Sequence, residues 1–200
     1  MKKLLALALS LSSLVLVGAA LGAAPASATG AWCSTAPESH ICPSKYPQGT
    51  KFKAESVGGI VFNTGTQSNC SGSTLEGSML ETEWHETAVK WSSIKFSGCE
   101  VEALNLGSWT FPWEAGTHNS KISGQSYVKF PYPSLGITCY YWIPGLEPTA
   151  KLIGGSPARI EMRTQIERAA GSNTFFCSPA GTMSAEYKVT SPSPLYVEKE

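Results

Sequence analysis

Apolar and polar residues alternate with a period of two along most of the chain, the spacing of strands that bury one face. From Thr182 to Thr190, Met183, Ala185, Tyr187 and Val189 fall on one side, and Thr182, Ser184, Glu186, Lys188 and Thr190 on the other. Lys51-Phe52-Lys53-Ala54-Glu55 and Glu100-Val101-Glu102-Ala103 repeat the pattern. Between Val89 and Phe96 the apolar set runs Val89, Trp91, then Ile94, Phe96. The inward face therefore changes at Ser92-Ser93, where a β-bulge or bend is expected. Ile137, Cys139, Tyr141 and Ile143 share one face, opposite Tyr140 and Trp142. With the cysteine buried in a disulfide, those two aromatics point outward.

Two segments read less simply. Ser156-Pro157 could start a helix and Gly171 close it, giving a helix from Pro157 to Ala170. Against this, Ile160, Met162, Thr164 and Ile166 alternate with Glu161, Arg163, Gln165 and Glu167, which favours a strand. Leu80 to Trp91 carries good helix formers and could make a short helix before a strand at Trp91; the pattern leaves it open. Gly and Pro punctuate the remainder, as at Gly58-Gly59, Gly107, Pro112, Pro131, Pro133, Gly154-Gly155 and Gly181. Short alternating runs between such turns predict a mainly β chain, an antiparallel β-sandwich or barrel-like single domain.

The first 28 residues break this pattern. Lys2-Lys3 precede a nearly continuous apolar run from Leu4 to Leu21, and Ala26-Ser27-Ala28 has the small-x-small form that signal peptidase accepts. A signal peptide over 1–28, cleaved after Ala28, leaves a single β-rich domain over 29–200 and a secreted, extracellular product. The competing reading, a retained membrane anchor, suits the length of the run. Ser10, Ser12, Ser13, Gly18, Gly22 and Pro25 argue against it. Gly30-Ala31-Trp32-Cys33 lacks the residues of a lipid-attachment site, and no later run is long enough to span a bilayer. The chain is thus expected to have no membrane attachment once the signal is removed, and to end in a short charged tail.

Six cysteines follow the signal, at 33, 42, 70, 99, 139 and 177, an even number in an exported chain. The closest two have eight residues between them, unlike the paired spacing of structural zinc sites, and there is no C-x-x-C redox motif. Three disulfides are expected. Sequence permits fifteen connectivities; nearest-neighbour pairing, Cys33–Cys42, Cys70–Cys99 and Cys139–Cys177, is the one adopted here. Each would contribute about 3 to 4 kcal/mol in the chain-entropy account.

The chain is formally neutral, and loss of Lys2 and Lys3 with the signal leaves a net charge of −2, with no basic run. No nucleic-acid partner is expected. All 15 acidic residues are glutamates, which excludes aspartic-protease dyads, triads with a true Asp and EF-hand loops. Catalytic candidates are few. Glu81, Glu83, His85 and Glu86 cluster, but Val89 stands where a zincin helix requires its second histidine. Paired glutamates can serve glycoside hydrolysis if they converge in a cleft. His40 and His118 have no partner by spacing, no G-x-S-x-G elbow occurs, and paired cysteines leave no thiol nucleophile.

Binding chemistry rests on aromatics. Trp109, Trp113, Tyr132, Tyr140 and Trp142 gather in a Pro- and Gly-rich stretch. Outward rings on a rigid sheet can stack on sugars or anchor a protein, although aromatics are also ordinary sheet-core residues. By alternation Tyr140 and Trp142 lead, followed by Trp113 and Trp109.

Several motifs belong together: Trp32-Cys33-Ser34, Cys42-Pro43, Tyr46-Pro47-Gln48-Gly49-Thr50, Asn69-Cys70-Ser71-Gly72-Ser73-Thr74-Leu75-Glu76-Gly77, Phe96-Ser97-Gly98-Cys99, Ala103-Leu104-Asn105-Leu106 and Ser193-Pro194-Leu195-Tyr196-Val197. In these the chain resembles a recurring group of small exported bacterial proteins, over most of its length after the signal. The resemblance implies export and a β-rich, cysteine-paired fold, and carries over no active-site residues. The expected role is an extracellular binding or envelope-associated structural module, without cofactor or metal, whose partner is a cell-envelope glycan or protein. A secreted hydrolase using glutamates is the alternative.

Overall fold

The computed structural model describes residues 31–36, 42–65, 67–81, 86–112, 119–122, 124–143 and 150–197, with the backbone alone at 81, 86, 112 and 119–122. The segment 1–28, expected from the sequence to be a signal peptide, and the charged tail 198–200 lie outside the described residues. Among the described residues fifteen strands run in chain order: β1 Trp32–Cys33, β2 Lys51–Ser56, β3 Ile60–Asn63, β4 Gln67–Cys70, β5 Gly72–Glu81, β6 Glu86–Ser97, β7 Glu102–Leu104 and β8 Ser108–Pro112. They continue as β9 Asn119–Ile122, β10 Ser126–Tyr132, β11 Ile137–Ile143, β12 Ala150–Ile153, β13 Arg159–Arg168, β14 Ala180–Ser191 and β15 Tyr196–Val197. Among the described residues the one helical turn, Pro133–Leu135, is 3₁₀. No α-helix occurs among the described residues.

One antiparallel sheet carries thirteen of these strands, nine along the path β7-β10-β11-β13-β14-β2-β5-β6-β8 with β12, β9, β3 and β4 branching from it, and it curls into a half-barrel. Of the two expected architectures, this is the barrel-like one. Strand β14 is the axis. It pairs with β13 along nine positions on one side, and with β2 and β3 in succession on the other. Strands β1 and β15 form a separate pair, joining Trp32 to Val197, so the two ends of the described chain meet. Ala31, Cys33 and Cys42 make a small buried cluster there with Tyr196 packed on it.

The alternation dictates which residues face in. Along β13, Ile160, Met162, Thr164 and Ile166 are buried while Glu161, Arg163, Gln165 and Glu167 are exposed, so the helix alternative for Pro157–Ala170 is overturned. The ambiguous stretch from Leu80 to Trp91 is strand at both described ends, in β5 and β6, with 82–85 outside the described residues. The break at Ser92-Ser93 is a bulge: Gly77 pairs with Trp91 and Glu76 with Ser93, leaving Ser92 without an opposite residue. Its hydroxyl instead donates to the Glu76 carbonyl at 3.2 Å. The sulfurs pair in chain order, Cys33–Cys42, Cys70–Cys99 and Cys139–Cys177, as expected.

Aromatic rings fill the concave side. Trp109, Trp91, Phe52, Trp32 and Phe111 form one chain of tilted and edge-to-face contacts with centroids 5.0 to 6.3 Å apart. Phe96, Phe62, Phe130 and Tyr141 form a second, at 5.0 to 5.5 Å. Edge-to-face pairs add about 0.5 to 1.5 kcal/mol each beyond their buried area. Tyr187 of β14 lies fully buried between these groups, and burial pushes its phenol up to about 12.

This burial makes the fold alkali-sensitive. A phenol whose folded value lies above its unfolded value of 10 stabilises the fold fully below pH 10, and the contribution is lost as pH rises toward 12. We predict that the urea midpoint falls over this window. The Tyr187→Phe variant should lose roughly 2 kcal/mol less than wild type between the two limits. Parallel losses in the two proteins would show that Tyr187 ionises as freely as an exposed phenol.

Candidate functional site

On β11 the side chains of Cys139, Tyr141 and Ile143 are buried, whereas Tyr140 and Trp142 lie half-buried on the convex face. Strand register brings neighbours to both. Trp142 stands opposite Tyr127 of β10 and Glu167 of β13, and Tyr127 stands opposite Leu104 of β7. One row across four strands therefore reads Leu104, Tyr127, Trp142, Glu167. In the next row Glu102, Lys129 and Tyr140 align. The Lys129 ammonium donates to a Glu102 carboxylate oxygen at 2.9 Å, and that hydrogen bond and charge hold it above the usual lysine range.

Tyr127, Tyr140 and Trp142 border a groove of about 440 Å³. Its polar lining comes from Asn105, Gln125 and Arg168, and its apolar lining from Leu104, Ala169 and Ala170. Asn105 follows β7 in a left-handed conformation, φ 48°, which asparagine tolerates better than most residues. The wall beyond β11 is fixed by backbone. The Ala169 N–H donates to the Tyr140 carbonyl at 2.8 Å, and the Ser172 hydroxyl both donates to that carbonyl and accepts the Tyr140 N–H, each at 2.8 Å. The arrangement offers flat rings, with Asn105 and Gln125 beside them, in a shallow groove; the Arg168 guanidinium itself is engaged by the carbonyls of Thr174 and Cys177. Such a surface stacks on a ligand and hydrogen-bonds its edges.

The four aromatics expected to bind divide three ways. Tyr140 and Trp142 come together as the alternation requires. Trp113 lies outside the described residues. Trp109 is corrected: it is a core residue, 4% exposed, packed edge-to-face on Trp91. Its indole N–H donates to the buried Ser126 hydroxyl at 2.9 Å, and the absence of a Cβ at Gly124 gives the indole its slot. Tyr132 lies half-buried against the core. Tyr127 was missed, although Ser126-Tyr127-Val128-Lys129-Phe130 alternates and puts Tyr127 and Lys129 outward. Of the glutamate cluster, Glu83 and His85 lie outside the described residues, as do the side chains of Glu81 and Glu86. His40 and His118 lie outside them too. Among the described residues no group of His, Cys or Glu could hold a metal.

Burial separates the two tryptophans energetically. Trp109→Ala should cost about 3 to 5 kcal/mol of unfolding free energy, the range for emptying a packed aromatic site. Trp142→Ala should cost about 1 kcal/mol or less, since it leaves the core intact. Urea titration of both variants checks this, and equal losses would place Trp142 inside. No protein-family model, curated protein or solved structure matches this chain.

Proposed function

We propose that the chain is an exported bacterial protein that binds a neutral polysaccharide of the cell envelope through the groove of Tyr127, Tyr140 and Trp142. The observation that carries the reading is the cross-strand Tyr127–Trp142 pair, with Tyr140 one row away and Asn105 and Gln125 in the same lining. The C–H face of a pyranose ring stacks on such rings, and its hydroxyls, each donor and acceptor, suit amides, which are both as well. Trp and Tyr on paired strands lose little conformational entropy when covered, so the contact area is retained as affinity.

The setting supports the same reading. Three disulfides persist in an oxidising, extracellular environment, and no helix among the described residues is long and apolar enough to cross a membrane. The leader Met1–Ala28 would supply the route out, and the motifs from Trp32 to Val197 resemble those of small exported, cysteine-paired bacterial proteins, which agrees with this reading.

The test is sedimentation with isolated, insoluble cell-wall polysaccharide. The Tyr140→Ala/Trp142→Ala double variant should keep its circular dichroism and its three disulfides while retention falls by at least roughly tenfold, the equivalent of one lost stacking contact. Equal retention of wild type and double variant would remove the groove from the binding account.

A further inference from the structure

The loop between β13 and β14 carries the most exposed large apolar side chain among the described residues: Phe175 is 88% exposed, and its neighbour Phe176 57%. The two rings meet edge to face at 5.0 Å. Leu135, 59% exposed on the turn of the β10–β11 hairpin, borders the same cavity, of about 460 Å³. No Lys, Arg, Glu or His lines this cavity, and the segments 131–137 and 169–180 contain none.

The exposure is held in place. The Cys139–Cys177 disulfide ties the loop to β11, and Ser172 clamps it to Tyr140. The Arg168 guanidinium donates to the carbonyls of Thr174 and Cys177, at 3.1 and 2.8 Å. Three N–H groups of the tip find partners within the loop. Asn173 Oδ1 accepts the N–H groups of Phe175 and Phe176 at 2.9 and 3.0 Å, and the Cys177 N–H donates to the Asn173 carbonyl at 3.0 Å.

We propose that this end of the half-barrel docks on a lipid bilayer, with Phe175, Phe176 and Leu135 inserted at the interface. The charge-free tip matches a bilayer without net charge and needs no anionic lipid. A second copy of the chain fits less well. The three side chains present on the order of 400 Å², about half the ~800 Å² per partner that a stable dimer buries. The expectation of no membrane attachment rested on contiguous apolar runs, whereas this patch is assembled from two loops. It is separate from the aromatic groove and does not depend on it.

Flotation of the mature protein with phosphatidylcholine vesicles tests the proposal. Wild type should float with the vesicles, and should still do so in about 0.5 M NaCl, since no ion pair is involved. The Phe175→Ser/Phe176→Ser variant, altered only at exposed positions, should keep its disulfides and circular dichroism while its partition coefficient falls on the order of 30-fold. Its retention on cell walls should be unchanged, which separates failure here from failure of the groove. Absence of wild-type flotation, or equal flotation of the variant, would overturn the proposal. A dimer seen by sedimentation velocity without vesicles, and lost with the two phenylalanines, would assign the patch to self-association and overturn it as well.

Discussion

The bond from Cys139 to Cys177 fixes which side of β11 is inside. A strand has two faces, and a slip of one residue exchanges them completely. With its sulfur held against the loop before β14, Cys139 faces in, carrying Tyr141 and Ile143 with it and leaving Tyr140 and Trp142 outside. The same bond anchors the loop that presents Phe175 and Phe176. Groove and loop are therefore two consequences of one covalent constraint, acting on opposite sides of one strand.

Around that point the aromatic residues are sorted by parity and register. Those on inward positions, from Trp32 to Tyr187, close the concave side of a sheet that has no helix to cover it among the described residues. Those on outward positions of β10 and β11 meet across the strands because the register sets Tyr127 against Trp142. Neither ring is isolated: Lys129 and Glu102 brace the adjoining row, and Arg168 joins the groove to the loop by its bonds to Thr174 and Cys177.

Much of this was legible in the chain because a period of two is a local signal. The strand from Arg159 to Arg168, the bulge at Ser92 and the outward pair Tyr140 and Trp142 all follow from alternation alone. The cysteines pair with their nearest neighbours in the chain, one of the fifteen connectivities that their order leaves open. Trp109 takes the inward parity of its own strand, which Phe111 shares, and so is buried. Tyr127 joins the groove only through pairing with a strand about fifteen residues away, and inter-strand register leaves no mark within either segment. Phe175 and Phe176 sit in a turn without periodicity, so their exposure depends on a disulfide, a guanidinium and an asparagine side chain acting together.

The most direct measurement is a disulfide map of the unreduced, purified protein by mass spectrometry of its proteolytic peptides. A cross-linked peptide pair joining Cys139 to Cys177, beside pairs for Cys33–Cys42 and Cys70–Cys99, is the predicted result. Cys139 recovered as a free thiol, or bonded to any other cysteine, would contradict the facing of β11 and with it both the groove and the loop.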